Sequence, residues 1–440
     1  MANYGRERLR VKKRFAALMR GFQEAFYYGD GVDAWLPEII LLPYVSLPWR
    51  NDLTWYRIIG PPGSGKSKHL SMLADFEHTY IVDDFTPKSF VSGFRGTDGK
   101  DPSKLARMNG KVVIISDEST LMEQRQEDRN QIQSILRRIY DGTFTKSFGN
   151  MEKEQKYESR FNLLIGSTPT IDRYFLYNQA LGERFLNFRL QIADREELAR
   201  RAYDNQFSGF EDKCDALKPR VHKFIRRLPG IDQSEIPVDR DVRDYILTTA
   251  NLVAKIRTHI TRDARGQEVT TLPQPEVASR LVKQVSQIAT SIAIVEGDAS
   301  VSKKHAQKAI YFCIGSVIAI VTFILYHIYR FTQEVQGASN KKWFPLQYLV
   351  IRTALSRGTV KKVIEDLAIH RVLDIRAGKK QGGRLIEYSL GKVMFERIGD
   401  IDLFQNYIPP VQEVIKYKQA DRHRPTGTNF KKTRRKRKPK

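Results

Sequence analysis

Cysteine is nearly absent from this chain of 440 residues, which contains only Cys214 and Cys313, far apart in the sequence. With no second pair, neither a disulfide framework nor a cysteine-ligated zinc site is indicated. The first fifteen residues are basic, but no apolar stretch follows them, so we expect no secretory signal. These absences favour a cytoplasmic protein in a reducing environment.

Acidic residues are also few relative to basic ones. Lysine and arginine number 74 against 50 aspartates and glutamates, which gives a formal net charge of +24. Residues 421–440 contribute +9 of this charge, so the other 420 residues carry +15. A field of this sign attracts polyanions, and we expect nucleic acid as the partner. The basic tail itself fits either a solvated extension or a phosphate-binding arm.

Charge is missing altogether from residues 309–329, which contain no Lys, Arg, Asp or Glu over 21 residues. A stretch of this length is enough to cross a bilayer. Gly315 and Ser316 interrupt it, however, and His327 lies within it. We therefore expect two consecutive buried helices, with a membrane span as the alternative.

The first 50 residues differ in pattern from those that follow. A basic amphipathic helix is indicated from Arg6 to Phe26. Beyond it, Pro37, Pro43 and Pro48 disfavour regular structure. We interpret this segment as a lead-in to the first domain.

The spacing of apolar residues divides the rest of the chain into segments of different predicted structure. Short apolar runs alternate with helical stretches at first, as a parallel α/β sheet buried on both faces requires. Helical periodicity then takes over, and a helix, helix and Gly-rich hairpin follow. The predicted domains are an α/β core at 51–193, a separate helical lid at 194–335, a helix–helix–hairpin unit at 340–395 and an extension at 396–440.

A phosphate-binding loop follows the first apolar run, at residues 55–59, and opens a helical stretch, which is the context that the motif G-x-x-x-x-G-K-[ST] requires. Backbone N–H groups of such a loop hold phosphates, Lys66 neutralises the β- and γ-phosphates, and Ser67 ligates Mg²⁺. We therefore predict ATP and Mg²⁺ as bound cofactors. The residues of the loop are Gly60, Pro61, Pro62, Gly63, Ser64, Gly65, Lys66 and Ser67.

Two carboxylates end a second apolar strand at residues 111–118. Acidic groups at the carboxyl end of a parallel strand face the crevice where ligands bind. We expect Asp117 to hold Mg²⁺, directly or through water. Glu118 is the candidate catalytic residue that positions or activates the attacking water.

This order of parts resembles the AAA+ family of P-loop ATPases over roughly residues 50–320. The resemblance implies that Thr168, at a strand tip where the family more usually has Asn, senses the γ-phosphate. It implies that Arg184, in the segment Leu181-Gly-Glu-Arg-Phe185, reaches a neighbouring subunit's nucleotide, and that Arg280 folds back onto the phosphates. The alternatives are a plain turn at Thr168, an ion pair at Arg184 and a solvated helix surface at Arg280.

The same resemblance implies a homo-oligomer, in a ring or a filament, with a hexamer as the expected form. Residues 140–157 contain the Asp-Gly and Gly-Asn pairs that punctuate hairpins. A hairpin at this place is similar to the pore hairpins of helicase-like AAA+ proteins, which makes Lys146 and Lys156 candidate DNA contacts. A surface hairpin with solvated lysines is the alternative.

The unit at 340–395 resembles a winged helix-turn-helix. Gly358 marks the turn and Thr359 is the expected N-cap of the second helix. In this module the second helix enters the major groove and the wing contacts the backbone of DNA; the alternative is a protein scaffold. The candidate DNA contacts are Thr359, Lys361, Lys362, Lys379, Lys380 and Arg384.

Taken together, these features favour an ATP-hydrolysing AAA+ protein that acts on DNA. Several of its strings, among them the segment Gly166–Arg173, are similar to uncharacterised ATPases of bacterial phages and integrative mobile elements. The expected roles are helicase, helicase loader or translocase in the replication or mobility of such an element. The alternatives are a DNA-binding regulator switched by ATP without motor activity, and a membrane-tethered ATPase.

Overall fold

The computed structural model carries the predicted α/β architecture. It describes residues 2–29, 31–83, 86, 90–91, 103–142, 144–146, 155–174, 184–192, 194–258, 260–263, 268–335, 343–380, 383–400, 403–404, 407 and 409. The basic tail at 421–440 and residues 181–183, before Arg184, lie outside this range.

A five-stranded parallel sheet forms the centre of the described part of the chain, in the order β2-β3-β6-β1-β7. Its strands read as runs of Val, Ile, Leu and aromatic residues because both of their faces are buried. Successive side chains of β1 alternate between two apolar clusters, with Tyr56 and Ile58 on one face and Trp55 and Ile59 on the other. The strands are β1 (Trp55–Ile59), β2 (Thr79–Ile81), β3 (Val112–Ile115), β6 (Asn162–Ser167) and β7 (Leu186–Arg189).

Short helices connect these strands, and a hairpin interrupts the sequence before β6. The hairpin pairs β4 (Phe144–Lys146) with β5 (Gln155–Tyr157) in antiparallel register, as expected from its turn residues. The side chains of Lys146 and Lys156 lie outside the described residues. The helices of this part are α4 (Lys66–Ser71), α5 (Lys104–Met108), α6 (Ser119–Met122) and α7 (Gln126–Tyr140).

The amino-terminal segment contains more regular structure than its prolines suggested. The predicted amphipathic helix is α1 (Ala2–Ala25), and two short helices follow, α2 (Leu36–Ile39) and α3 (Leu42–Ser46). The expectation of irregular structure here was wrong, because Pro37 and Pro43 lie in the first turns of α2 and α3. The backbone nitrogen has no helical partner in a first turn, so proline is tolerated there.

Helices follow the sheet, as the periodicity predicted, but they share its core. One cluster of buried apolar residues runs without a break from Val11 in α1 through the sheet to Leu403. The helices that were predicted to form a separate lid therefore pack on the same apolar core as the sheet. The helices are α8 (Arg195–Asn205), α9 (Phe210–Ile225), α10 (Arg240–Arg257), α11 (Ser279–Glu296), α12 (Lys303–Gly315) and α13 (Ala319–Val335).

The uncharged stretch at 309–329 spans α12 and α13, the two consecutive helices that we expected. Among the described residues, no helix alone has the length and apolar character to cross a bilayer, while these two pass such a test as a pair bent by 117°. The bend sits against β7: a Cβ on Gly315 would overlap the carbonyl oxygen of Asn187, so only glycine fits.

Arg189, the last residue of β7, fixes the junction between α12 and α13. Its guanidinium forms a two-point ion pair with Asp172, at 2.6 and 3.1 Å, and its Nε donates to the carbonyl of Gly315 at 2.8 Å. The backbone N–H of Ala319, which begins α13, lies 3.4 Å from the Asp172 carboxylate. The junction is therefore held to the carboxyl edge of the sheet by charge-assisted hydrogen bonds.

The carboxyl-terminal unit contains the predicted helix, helix and hairpin. Its second helix begins at Arg357, one residue before Gly358, and its N-cap is Ser356, whose hydroxyl accepts the N–H of Thr359 at 3.1 Å. The predicted N-cap at Thr359 was wrong, and the left-handed turn residue is Ala354, with φ of 55°, in place of Gly358. The elements are β8 (Phe344–Pro345), α14 (Leu346–Thr353), α15 (Arg357–Ile369), β9 (Leu373–Lys380), β10 (Gly383–Leu390) and α16 (Lys392–Asp400).

Candidate functional site

The carboxyl ends of three neighbouring strands bring the predicted site residues to one edge of the sheet. Gly60, which follows β1, donates its N–H to Ser167 at the end of β6, at 3.1 Å. The N–H of Glu118, beyond β3, donates to Gly166 at 2.9 Å. The phosphate-binding loop, the two carboxylates and Thr168 therefore meet where ligands of open α/β sheets bind.

The loop itself has the backbone that its glycines permit. Gly63 and Gly65 have φ values of 77° and 81°, a region that side chains with a Cβ rarely adopt. Ser64 donates its N–H to the carbonyl of Pro61 at 3.3 Å, which closes the turn, and α4 begins at Lys66. Pro62 is exposed in this turn, and Ser67 is exposed in the first turn of α4.

Lys66 folds its ammonium back over the loop. The Nζ atom donates to the carbonyls of Gly60 and Pro61 at 2.7 and 2.9 Å and to the hydroxyl of Ser64 at 3.2 Å. Burial lowers the pKa of this ammonium, and the carboxylate of Asp117 partly offsets that effect. The positive charge is thus placed at the loop, with Asp117 near enough to interact with it.

Asp117 and Ser67 supply the oxygen ligands that magnesium prefers. Asp117 is exposed at the tip of β3, and its Oδ1 accepts the N–H of Ser119 at 2.9 Å. This bond fixes the carboxylate at the edge of the sheet, and its effect on Lys66 places it close to the loop. The donor set therefore fits a divalent cation bound together with phosphates.

Glu118 occupies a different place from the one predicted. The side chain is only 1% exposed, and both carboxylate oxygens accept Nε of Arg57 in β1, each at 3.0 Å. The guanidinium of Arg57 also lies 4.0 Å from the ring centre of Phe185. In this conformation the carboxylate faces a buried cation inside the sheet and does not face a solvent-filled crevice.

A cavity of about 550 Å³ extends from the phosphate-binding loop. Gly63, Ser64 and Gly65 form one end, and aromatic residues at the end of α1 and the start of α9 form much of the rest. Its size and mainly apolar surface are typical of a small-molecule site. Five charged residues also line it, namely Asp33, Lys68, Arg201, Glu211 and Asp212. The aromatic residues of the wall are Phe26, Tyr27, Tyr28 and Phe210.

No family model and no curated protein matches the chain. A function therefore has to be argued from the chemistry of the site, because a fold alone does not specify one.

Sequence reasoning missed the contribution of the amino-terminal segment to this cavity. The lead-in supplies Phe26, Tyr27 and Tyr28, and α8 supplies Arg201, whose guanidinium lies 5.5 Å from the ring centre of Tyr27. The one available signal was an aromatic cluster at the end of an amphipathic helix, with Phe22 and Phe26 four residues apart. Such spacing is equally typical of an ordinary core helix.

The three residues named by resemblance are placed differently from one another. Thr168 lies at the strand tip beside the loop, and its hydroxyl contacts that of Thr170 at 2.5 Å. Arg184 precedes β7 and pairs with Asp141 at 2.7 Å, which is the intramolecular ion pair that was its alternative.

Arg280 lies near Tyr140: burial raises the pKa of that phenol, and Arg280 is among the charges that partly offset the rise. The Tyr140 ring contacts Trp55, the first residue of β1, at a centroid distance of 5.1 Å. The phosphate-binding loop leaves the opposite end of that strand, about 13 Å away at 3.3 Å per residue. The residues that line the cavity do not include Arg280, and they do not include Lys66, Ser67 or Asp117 either.

The carboxyl-terminal candidates fall on two elements. Lys361 and Lys362 are exposed on α15, where Lys361 lies 3.6 Å from Glu365, while Thr359 is half-buried against Ser356. Lys379 and Arg384 pair across the hairpin of β9 and β10. The side chains of Lys379, Lys380 and Arg384 lie outside the described residues.

Proposed function

We propose that this chain is an ATPase of the AAA+ type that acts on DNA. The observation that carries the proposal is that Gly63, Ser64 and Gly65, which directly precede Lys66, form one end of the cavity with aromatic walls. A triphosphate placed at the loop leaves its base and ribose among Phe26, Tyr27, Tyr28 and Phe210, since apolar and aromatic walls bury the flat face of a purine.

Each residue at the edge of the sheet has a part in this proposal. Backbone amides of Gly63 and Gly65 bind phosphate oxygens, and Lys66 exchanges its loop carbonyls for the β- and γ-phosphates. Ser67 and Asp117 hold Mg²⁺, which when bound neutralises charge on the transferring phosphoryl group. Thr168, one residue beyond the strand tip, is placed to contact the terminal phosphate.

Hydrolysis also needs a carboxylate near the attacking water. Glu118 takes this part in the proposal once its carboxylate leaves Arg57 and turns toward the loop. Arg184 acts on the nucleotide of a neighbouring subunit once it leaves Asp141, which requires a homo-oligomer such as a hexameric ring. The pair of Arg184 with the exposed Asp141 is one that a neighbouring subunit can compete for, whereas the pair of Arg57 and Glu118 is buried and its separation has to be driven by nucleotide binding.

The partner in this proposal is DNA, because the chain has a net charge of +24 and its carboxyl-terminal unit presents Lys361 and Lys362 on one exposed helix. The helix, helix and hairpin there fit a winged helix-turn-helix with α15 as the reading helix. The expected roles are helicase, helicase loader or translocase in the replication or mobility of a mobile element.

One observation favours a second candidate, a DNA-binding regulator that ATP switches without turnover. Glu118 is held by Arg57 in a buried pair, and a carboxylate held there cannot activate water at the loop. Turnover separates the two candidates. ATPase activity that single- or double-stranded DNA stimulates, and that Glu118→Gln abolishes, supports the enzyme; full biological activity of Glu118→Gln supports the regulator.

The proposal as a whole is tested by the affinity for ATP in the presence of Mg²⁺, measured by calorimetry. We expect Lys66→Ala to lose binding and hydrolysis, because it removes the only ammonium in contact with the loop among the described residues. Lys111→Ala is the control, since Lys111 precedes β3 at the opposite edge of the sheet, where its ammonium donates to the carbonyl of Glu77, and it does not line the cavity. Binding that is equal in both variants would refute the site, as would the absence of binding by the unmodified protein.

A further inference from the structure

His69 lies under the phosphate-binding loop with both ring nitrogens engaged. Its Nδ1 lies 2.9 Å from the carbonyl oxygen of Gly65, and its Nε2 lies 2.6 Å from the hydroxyl of Tyr28. The residue is 2% exposed, and the rings of Phe22 and Phe26 pack on it at centroid distances of 5.8 and 4.2 Å. Both ring nitrogens are therefore hydrogen-bonded to the protein and shielded from water.

The two contacts fix the tautomer of the ring. A carbonyl oxygen only accepts hydrogen bonds, so Nδ1 must carry the hydrogen and donate it to Gly65. In the neutral ring Nε2 is then an acceptor, and the Tyr28 hydroxyl donates to it.

The carbonyl that His69 holds belongs to the peptide unit between Gly65 and Lys66. A trans peptide is planar, and its C=O and N–H point in opposite directions. Fixing the carbonyl of Gly65 toward the ring therefore fixes the N–H of Lys66 away from it, on the side of the loop that is free to meet a phosphate. Gly65 has a φ of 81°, and its carbonyl also accepts the backbone N–H of His69 at 3.0 Å, the first hydrogen bond of α4, so the imidazole is a second donor that holds this peptide in place.

From these contacts we propose that His69, ordered by Tyr28, is a positioning residue for the phosphate-binding loop, and that the amino-terminal helix is thereby part of the nucleotide site. The inference rests on the proposed function and deepens it. Tyr28 follows α1 and also lines the cavity, so one residue connects the end of α1, the cavity wall and the loop. The ligand class is a nucleoside di- or triphosphate, held through the phosphates that the loop contacts.

Three variants separate a hydrogen-bonding role of His69 from a packing role. His69→Leu keeps an apolar side chain of similar bulk but has no donor. His69→Asn is smaller, yet its amide nitrogen stands one bond from Cγ, as Nδ1 does, and can donate to Gly65. Tyr28→Phe removes the hydroxyl that orders the ring and retains the aromatic wall.

The measurement is the affinity for Mg·ATP and for ADP by calorimetry, together with KM and kcat for ATP. We expect His69→Leu to weaken binding of both nucleotides about tenfold, the effect of one hydrogen bond, and to raise KM with kcat changed less than about twofold. His69→Asn should recover most of the affinity that His69→Leu loses. Tyr28→Phe should weaken binding about threefold, since it disorders the donor without deleting it.

Two results would overturn the inference and leave the proposed function standing. One is binding by His69→Leu that matches the unmodified protein, while Lys66→Ala still abolishes it. The other is binding by His69→Asn that is no stronger than binding by His69→Leu, which would assign His69 to packing alone. An unmodified protein without affinity for either nucleotide would instead remove the proposed function itself. Thermal unfolding of each variant identifies any that fails to fold.

Discussion

The Nε atom of Arg57 lies 3.0 Å from both carboxylate oxygens of Glu118, although Arg57 is on β1, Glu118 follows β3, and β6 separates these two strands in the sheet. Arg57 is the one charged residue in the middle of β1, and its face of the strand belongs to the cluster of Trp55 and Phe185. A charge is stable there only when it is paired. The pair therefore decides both the stability of the sheet and the position of the candidate catalytic carboxylate.

The first prediction concerns this pair. Arg57→Met should lower the free energy of unfolding by about 3 to 5 kcal/mol, because it leaves the buried Glu118 carboxylate without its cation. Urea unfolding followed by circular dichroism measures the change. The double variant Arg57→Met with Glu118→Gln should cost clearly less than the two single changes added together. Strict additivity would mean that the ion pair does not couple these positions.

The second prediction separates two roles of Arg184. If it acts on a neighbouring subunit's nucleotide, Arg184→Ala should lower ATP hydrolysis by roughly 10³-fold and leave the affinity for ATP unchanged. Asp141→Ala breaks the same ion pair and retains the guanidinium, so it should hydrolyse ATP normally. Equal loss of hydrolysis in both variants would assign Arg184 to the intramolecular pair.

A third prediction addresses the exposed lysines of α15. Replacing Lys361 and Lys362 by Ala should weaken DNA binding and reduce the slope of log affinity against log salt by about 0.9 for each phosphate that the variant no longer neutralises. Lys392→Ala is the matched control, because Lys392 is also exposed and also lies near a glutamate four residues on, at 3.7 Å against 3.6 Å for Lys361. A slope that does not change would exclude α15 from the DNA interface.

The fourth prediction follows from the buried ring of His69. Its folded pKa is about 4 against an ordinary value of 6.5, so the unfolded chain binds a proton between these values that the folded chain excludes. The free energy of unfolding should therefore fall as the pH drops from 6.5 toward 4, by on the order of 2 to 3 kcal/mol from this group.

Urea unfolding at pH 7 and pH 4.5 tests this point. The loss of stability between the two should be smaller in His69→Asn than in the unmodified protein. The other histidines whose pKa is lowered by desolvation, such as His222 and His370, are common to both proteins, so their contribution cancels in the comparison. An identical loss in both would show that His69 is already accessible to protons in the folded state.

The sheet and the loop were predictable because local sequence determines them. Runs such as Val112–Ile115 and Asn162–Ser167 have no polar face and therefore require a sheet covered on both sides. The phosphate-binding loop is specified by glycines at the positions that need positive φ, Gly63 and Gly65. Both predictions depend on a few neighbouring residues, and both match the structure.

Contacts between distant segments were not predictable in the same way. Nothing in the local sequence of Glu118 indicates that Arg57, 61 residues earlier, will bind it. Likewise, Tyr28 and His69 are 41 residues apart, and each alone is typical of an ordinary core. The prediction of the turn before α15 was wrong for another reason. Gly358 was chosen as the turn residue for its conformational freedom, but the helix begins earlier because the side chain of Ser356 is a good N-cap.

The contacts of Arg189 and Asp172 make the junction at Gly315 a fixed point about which α13 can tilt. On one side lies the strand tip that carries Thr168, four residues before Asp172; on the other, α13 extends for 17 residues, or about 25 Å, toward the carboxyl-terminal unit. A tilt of α13 by about 10° at this junction would move its carboxyl-terminal end by roughly 4 Å. A shift of the strand tip that is too small to break a hydrogen bond would then displace the carboxyl-terminal end of α13 by a distance comparable to the spacing between neighbouring strands.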